Sequence, residues 1–152
     1  MEISVDQIKK LREATGAGIA DCRKALVEAK GDEKKAVELL RSWGIDKAAA
    51  KADREAGQGL VDTYIHGGGK VGAMVEINCE TDFVARTDEF KALVHEVAMQ
   101  VSAMDPKDVK ELLAQAYIRD ASKTIEDLVK ETIAKLGENI VVKRFMRFEL
   151  GQ

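Results

Sequence analysis

The chain has 152 residues, 45% of them hydrophobic and 34% charged, which predicts a folded globular protein rather than a disordered one. Its 24 basic and 27 acidic residues give a net charge of -3 and are mixed along the sequence, so no surface for direct nucleic-acid binding is expected. No apolar run reaches the roughly 20 residues that cross a bilayer, and no signal-peptide pattern opens the chain, which favours a cytoplasmic protein without membrane contact.

Residues 1–44 are predicted to form three short helices. Ser4 and Gln7 have the spacing of a capping box, which begins the first helix. The two glycines of Thr15-Gly16-Ala17-Gly18 interrupt the helical pattern, and the third helix is expected to end at Gly44. Because short amphipathic helices are stable only when they pack together, this segment is predicted to be a three-helix bundle.

Residues 45–58 are predicted to be a helical linker. The stretch 46–56 combines strong helix formers with almost no apolar face, which indicates a helix that crosses solvent. Such a helix is a semi-rigid tether. It would hold two contact sites at a fixed distance from each other, so that both could bind one partner.

The hydrophobic period changes from helical to alternating after Gly59. Residues 60–66 and 71–79 read as two strands of a hairpin, joined by Gly67-Gly68-Gly69-Lys70. A phosphate-binding P-loop would need a longer glycine motif with Ser or Thr after the lysine, followed by a helix. Here Val71 and a second strand follow instead, so the three glycines are expected to form a left-handed hairpin turn.

The second strand ends at Cys79, and a capping pair, Thr81 and Asp82, then turns the backbone. This turn is expected to leave Phe83 at its tip beside the Asp82 carboxylate, in the shape of a wedge. A structural alternative is that Asp82 is only a favourable charge at a helix N-terminus and that Phe83 turns inward as core.

Three helices are predicted after this turn. Thr87 is the expected cap of a helix whose apolar stripe runs from Phe90 to Val101, and a shorter amphipathic helix follows the only proline. Another helix begins at Thr124 or Ser122 and ends at Gly137.

Residues 140–150 alternate as a final strand, with Ile140 and Phe148 assigned to one face and Val141 and Phe145 to the other. The predicted fold class is therefore α+β, in which residues 59–152 form a three-stranded antiparallel sheet with helices packed on one face. Because both faces of the last strand carry apolar residues, the second face of the sheet is expected to meet a partner.

The reactive side chains do not assemble into a recognisable site. Cys22 and Cys79 are far apart in the chain, and His66 and His95 have no spacing typical of a triad or a metal motif. We therefore expect reduced, buried thiols, surface histidines, and no catalytic residue, metal or cofactor.

Two segments carry a resemblance to one known family. Residues 76–86, Glu-Ile-Asn-Cys-Glu-Thr-Asp-Phe-Val-Ala-Arg, resemble the Thr-Asp-Phe-Val signature of translation elongation factor Ts. Residues 11–26, Leu-Arg-Glu-Ala-Thr-Gly-Ala-Gly-Ile-Ala-Asp-Cys-Arg-Lys-Ala-Leu, resemble the other signature of that family, in a domain similar to ubiquitin-associated domains.

The resemblance implies a guanine nucleotide exchange factor for elongation factor Tu that performs no chemistry itself. Asp82 and Phe83 would insert into the GTPase and disrupt its magnesium and phosphate site, while Thr81 and Val84 shape the turn. The N-terminal bundle would dock on the nucleotide-binding domain of the GTPase, with charge from Arg12 and an apolar contact from Ile19. The alternative for that pair is a solvated Arg12 and an Ile19 in the core of the bundle.

Larger members of the resembled family carry the strand-and-helix core twice, whereas this sequence shows it once, over residues 59–150. A homodimer is therefore expected to supply the missing half. The stretch between Met104 and Gln115 is also shorter than is typical of the family, in which this region usually carries an additional helix.

Two functions of other classes compete with this interpretation. A ubiquitin- or peptide-binding adaptor would place all affinity in residues 1–44 and none at Phe83. A hydrolase or transferase would need a convergent set of titratable residues. An organellar origin, with a targeting segment removed beforehand, is an alternative to the cytoplasmic location.

Overall fold

A computed structural model of the protein describes residues 2–152; Met1, which belongs to the predicted segment 1–44, lies outside the described residues. Residues 2–152 form seven helices and five strands. The helices are α1 (Val5–Thr15), α2 (Ile19–Glu28), α3 (Glu33–Lys51), α4 (Asp82–Ala85), α5 (Asp88–Met104), α6 (Val109–Ala114) and α7 (Ile125–Leu136). The strands are β1 (Gln58–Ile65), β2 (Val71–Cys79), β3 (Ala116–Tyr117), β4 (Asp120–Thr124) and β5 (Ile140–Glu149).

The first three helices form the predicted N-terminal bundle. The capping box is present, since Gln7 donates its backbone N–H to Ser4 Oγ over 3.2 Å and Gln7 Oε1 accepts the Ser4 N–H over 3.0 Å. Gly16 ends α1 in the left-handed conformation, with φ of 67°. The small core between the helices is formed by Leu11, Cys22, Ala25, Leu26, Ala29 and Ala36.

Helix α3 corrects the prediction for the linker. The helix does not end at Gly44 but continues to Lys51, and its C-terminal half packs on α7 instead of crossing solvent. A Cβ atom at Gly44 would lie 3.3 Å from the Cβ atom of Ala134 on α7, and Ala48 is buried in the core of the sheet domain. A glycine inside a helix costs about 1 kcal/mol in propensity, and here it permits the close approach of a second helix.

The main domain has the predicted α+β architecture. Its sheet has the order β1-β2-β5, and both strand pairs are antiparallel. Helices α5 and α7 pack on one face of this sheet, and the helical stripe predicted for α5 is buried. The largest fully buried side chains of this core are Phe90, Ile77, Leu112, Ile125, Gln100, Val75, Val94, Val97 and Val101. Both cysteines are free and buried, as expected.

The hairpin between β1 and β2 has the predicted left-handed turn. Gly68 and Gly69 have φ values of 83° and 71°, which residues other than glycine rarely adopt. His66 donates its backbone N–H to the carbonyl oxygen of Val71 over 2.9 Å and closes the turn. The three glycines therefore serve the hairpin.

A β-bulge in β5 makes the predicted faces of this strand wrong. Ile77 pairs with Val142 whereas Glu76 pairs with Arg144, so Lys143 is an extra residue without a partner in β2. One inserted residue exchanges the two faces for everything that follows it. Ile140 is consequently buried in the core, whereas Phe148, which strict alternation assigns to the same face, is 70% exposed on the other side.

We call this second side of the sheet the outer sheet face. None of the helices described in residues 2–152 packs over its exposed apolar side chains, which come from all three strands. They are Val61 and Ile65 on β1, Met74 on β2, and Val141, Met146 and Phe148 on β5, with Leu150 just beyond. A groove near the β1–β2 turn has a volume of about 390 Å³, and its lining includes Ile65, Met74, Met146, Phe148 and Leu150.

Two further features complete the fold. The short β3–β4 hairpin was not predicted, and its Tyr117 hydroxyl donates to Glu96 Oε2 on α5 over 2.5 Å. Throughout residues 2–152, each helix is too short or too polar to cross a membrane.

Candidate functional site

The turn between β2 and α4 presents Phe83 to solvent. Thr81 is the N-cap of α4, and its Oγ1 atom accepts the backbone N–H of Val84 over 3.3 Å. One residue into this single turn of helix, the Phe83 side chain is 76% exposed. Leaving such a ring in water forgoes about 2 kcal/mol of burial free energy. The alternative in which Phe83 turns inward as core is therefore wrong.

Asp82 is paired rather than free on this turn. Its carboxylate accepts a hydrogen bond from the guanidinium of Arg86, four residues along the chain. The central carbon of the Arg86 guanidinium lies 5.8 Å from the centre of the Phe83 ring. Both charged side chains are more than half exposed, so the pair contributes little to stability and can open when a partner offers another contact. The four-residue spacing of Asp82 and Arg86 is a signal from which this pair could have been predicted.

The base of the turn is held by a carboxylate that the sequence did not reveal. Glu138 Oε1 accepts the backbone N–H of Thr81 over 2.9 Å, and Glu138 Oε2 accepts the Thr81 hydroxyl over 2.7 Å. The two residues are 57 positions apart in the chain. We call this pair the Thr81–Glu138 clamp.

A second carboxylate, that of Glu80, connects the same turn to the residue that precedes β5. Glu80 Oε1 accepts the backbone N–H of Asn139 over 2.8 Å and lies 3.6 Å from Arg54 Nη1. The Asn139 side chain donates to the carbonyl oxygens of Ala52, over 3.4 Å, and Arg54, over 2.8 Å. The turn before α4, the turn before β5 and the segment after α3 are thus tied together.

The buried Cys79 and the half-buried Val84 support the turn from the side of the core. The Cys79 thiol donates to the Thr81 carbonyl oxygen over 3.1 Å. Burial raises the pKa of this thiol, and the negative charge of Glu138 adds to the effect, so Cys79 stays protonated and able to donate. Val84 is half-buried and packs against the core of the sheet domain, which anchors α4 on the side opposite Phe83.

The other two predicted contact residues lie on the N-terminal bundle. Arg12 is exposed in the last turn of α1, and Ile19, the first residue of α2, is 60% exposed. The alternative that puts Ile19 in the core of the bundle is therefore wrong. Lys135 of α7 covers the turn at Gly16, which lies between these two residues. If Gly16 carried a Cβ atom, that atom would lie only 2.6 Å from the Lys135 Cε atom. Thr81, Asp82, Phe83 and Val84 thus lie together on the turn between β2 and α4, whereas Arg12 and Ile19 lie on the N-terminal bundle.

Both histidines are exposed, as expected, and both contact Tyr64. The Tyr64 hydroxyl lies 3.2 Å from His66 Nδ1, and the Tyr64 ring meets the His95 ring edge-on at 5.6 Å between centres. Among residues 2–152, no group of three or more His, Cys, Asp or Glu side chains is placed to hold a metal ion.

Comparisons with known proteins identify the family. The family model described as Elongation factor TS matches residues 80–152. Elongation factor Ts of Thermoanaerobacter sp. (strain X514) is 47% identical over 195 residues, which cover 99% of this chain and 96% of the relative. Elongation factor Ts of Coprothermobacter proteolyticus is 45% identical over 197 residues and covers 100% of both. Elongation factor Ts of Nostoc sp. (strain PCC 7120 / SAG 25.82 / UTEX 2576) is 54% identical over 149 residues, which are 98% of this chain and 47% of the relative.

The first two alignments are longer than the 152 residues of this chain, so those relatives contain residues that have no counterpart here. This agrees with a shortened form, and the placement of the shortening between Met104 and Gln115 stays a prediction. The identity over almost the whole chain extends well beyond the two short signature segments. The chain belongs to the elongation factor Ts family.

Proposed function

We propose that this protein is a guanine nucleotide exchange factor that accelerates the release of GDP from elongation factor Tu during translation in the cytoplasm. One observation carries the proposal beyond family membership: a phenylalanine ring that is 76% exposed on a rigidly capped turn. A lone exposed ring with its backbone fixed is suited to insertion into a pocket of a partner, because little conformational entropy remains to be lost on binding.

The proposed mechanism follows from how a GTPase holds its nucleotide. A phosphate-binding loop and a magnesium ion share the contacts to the phosphates, and magnesium demands near-octahedral geometry. Insertion of Phe83 between elements of the GTPase, with the Asp82 carboxylate beside it, displaces the groups that present the ion and the phosphates. Magnesium is released and the affinity for GDP falls.

The coupling between nucleotide and factor is reciprocal. Because the factor lowers the affinity of the GTPase for nucleotide, nucleotide with magnesium lowers the affinity for the factor by the same amount and expels it. Rates of exchange change while the final nucleotide equilibrium does not. This scheme requires no catalytic residue and no cofactor in the factor itself.

The N-terminal bundle is the proposed docking module, comprising residues 1–44, and residues 59–152 are the domain that carries the wedge. Arg12 and Ile19 are exposed and available to the GTPase. Residues 45–58, at the packed end of α3 and beyond, join the two. The packing of α3 on α7 supplies the fixed spacing between the two contact sites that simultaneous binding needs.

The outer sheet face is the proposed homodimer interface. Its apolar side chains come from three paired strands and include Met74, Met146 and Phe148. Two sheets that pack face to face bury such residues between them at a separation of about 10 Å. Residues 59–152 of the second copy would then take the place of the repeated core of larger family members.

The test is the release of fluorescently labelled GDP from purified elongation factor Tu. The intact chain is expected to accelerate release. Phe83→Ala should remove most of the acceleration and Asp82→Ala part of it, whereas Arg12→Ala and Ile19→Ala should raise the concentration needed for half-maximal effect. Ile118→Ala, which shortens an exposed side chain on the turn between β3 and β4, is the matched control. Acceleration that survives both wedge substitutions would place the active element elsewhere.

A further inference from the structure

We propose that Glu138 is a positioning residue for exchange: through Thr81, it fixes the turn that presents Phe83. The proposal rests on the exchange function proposed above and adds a residue that neither family signature contains. Glu138 does not touch the wedge itself. It contacts Thr81, the N-cap residue that directly precedes Asp82 and Phe83.

The contacts use both oxygens of the carboxylate on one residue. Oε1 accepts the Thr81 backbone N–H over 2.9 Å and Oε2 accepts the Thr81 hydroxyl over 2.7 Å. Hydrogen bonds to an ionised group are shorter and stronger than those between neutral groups. Two of them to one residue fix both the position of the Thr81 backbone and the rotamer of its side chain.

The direction of the hydroxyl proton gives Glu138 its influence on α4. A threonine hydroxyl has one proton to donate and two lone pairs that accept. Because the proton of Thr81 is directed to Glu138, a lone pair remains directed at the backbone N–H of Val84, 3.3 Å away. That bond is the N-cap of the single helical turn in which Phe83 lies. Without the carboxylate, the hydroxyl is free to rotate and the cap loosens.

Glu138 can do this because its own backbone is held from both sides. Gly137 ends α7 with φ of 75° and turns the chain, a conformation that favours glycine. Asn139 is only 4% exposed and binds Glu80, Ala52 and Arg54. A helix of only four residues has too few hydrogen bonds to hold its own orientation, so the orientation of the exposed ring depends on this external support.

The experiment compares Glu138→Ala and Glu138→Gln in the GDP release assay. Alanine removes both acceptors, and glutamine keeps one carbonyl oxygen but offers an N–H₂ group where the second acceptor was. We expect the maximal rate of GDP release to fall about tenfold for alanine and about threefold for glutamine. The half-saturating concentration should change little, because the N-terminal docking contacts are untouched. Glu131→Gln is the matched control, since Glu131 is a half-buried carboxylate on α7 that pairs with Lys123 over 2.9 Å, outside the clamp.

A double-mutant cycle separates positioning from a general loss of stability. If Glu138 acts through the ring, Glu138→Ala slows release in the native background and has no further effect in the Phe83→Ala background. Equal slowing in both backgrounds, or none in the native one, would overturn the proposal while leaving the exchange function intact.

Amide hydrogen exchange measures the clamp without any activity assay. The N–H groups of Thr81 and Val84 should exchange about threefold to tenfold faster in the two Glu138 variants, and Val97, in the core helix α5, should be unaffected. Unchanged exchange at Thr81 and Val84 contradicts the clamp. If instead the intact chain failed to accelerate GDP release, the exchange function would fail and the role of Glu138 in it would fail too, whatever the amides showed.

Discussion

The turn between β2 and α4 and the outer sheet face both expose apolar side chains, and they are built in opposite ways. The β2–α4 turn exposes one ring, Phe83, on a short segment fixed by polar contacts from Thr81, Glu80 and Glu138. The outer sheet face exposes several apolar side chains on three hydrogen-bonded strands, among them Phe148. A single projecting ring can enter a partner and move its parts, whereas a broad face can only pack against a matching one. The same residue type thus has two different proposed uses.

The free energy of unfolding should depend strongly on the buried Phe90 ring and very little on the exposed Phe83 ring. Phe90→Ala is expected to destabilise the fold by about 4 kcal/mol, because the ring is fully buried and a cavity remains. Phe83→Ala should change the free energy of unfolding by less than about 0.5 kcal/mol. Urea unfolding measures both, and a large loss for Phe83→Ala would mean that its ring supports the fold.

Self-association should depend on the outer sheet face and not on the turn. Phe148→Lys places a charge where two apolar faces meet, and it should weaken the dimer by about 3 kcal/mol, more than a hundredfold. Sedimentation equilibrium measures this change, with Ile118→Lys as a charge-matched control outside the face. The proposed interface predicts no effect of Phe83→Ala in the same experiment. A native chain that is monomeric at tens of micromolar would contradict the homodimer.

The two threonine caps that flank α4 offer a matched test of local support. Thr87→Val removes the N-cap of the long core helix α5, where Oγ1 accepts the Phe90 N–H over 3.2 Å, and should cost about 1 kcal/mol of global stability. Thr81→Val should instead reduce the rate of GDP release about fivefold with a smaller effect on unfolding. Equal effects of the two variants on release would deny Thr81 a specific role in the site.

Acid should weaken the N-terminal cap of α7 and, to a smaller extent, the contact of α7 with Arg41 on α3. The pKa of Asp127 is lowered chiefly by the backbone N–H of Thr124, with a smaller contribution from Arg41 on α3. A carboxyl with a lowered pKa stabilises the fold above its unfolded value of about 3.9 and loses that contribution as the pH falls through the folded pKa. Asp127→Asn should therefore cost about 1 kcal/mol at pH 7 and almost nothing well below pH ~4. A cost that is constant with pH, measured by urea unfolding, would contradict this.

Local patterns predicted most of the fold because the signals that determine these elements are short. The caps at Ser4, Thr87 and Thr124 hold, as does the exposure of Phe83 on its turn. Each of these depends on neighbours within about four residues, which a single sequence displays.

Three of the features that were missed depend on a partner far along the chain. Gly44 stays helical because α7 approaches it at Ala134, and the bulge at Lys143 is defined only by its pairing with β2. The contact of Glu138 with Thr81 joins residues 57 positions apart. Hydrophobic periodicity and capping rules contain no information about such pairs, so only the folded structure could reveal them.

The proposed exchange function is tested most directly by multiple-turnover release of labelled GDP from elongation factor Tu, with the intact chain present at far below the GTPase concentration and excess unlabelled GDP. Each copy of the chain is expected to release many nucleotides, at a rate that falls about a hundredfold in Phe83→Ala while folding and oligomeric state stay unchanged. Release at the spontaneous rate in the presence of the intact, folded chain would contradict the exchange function.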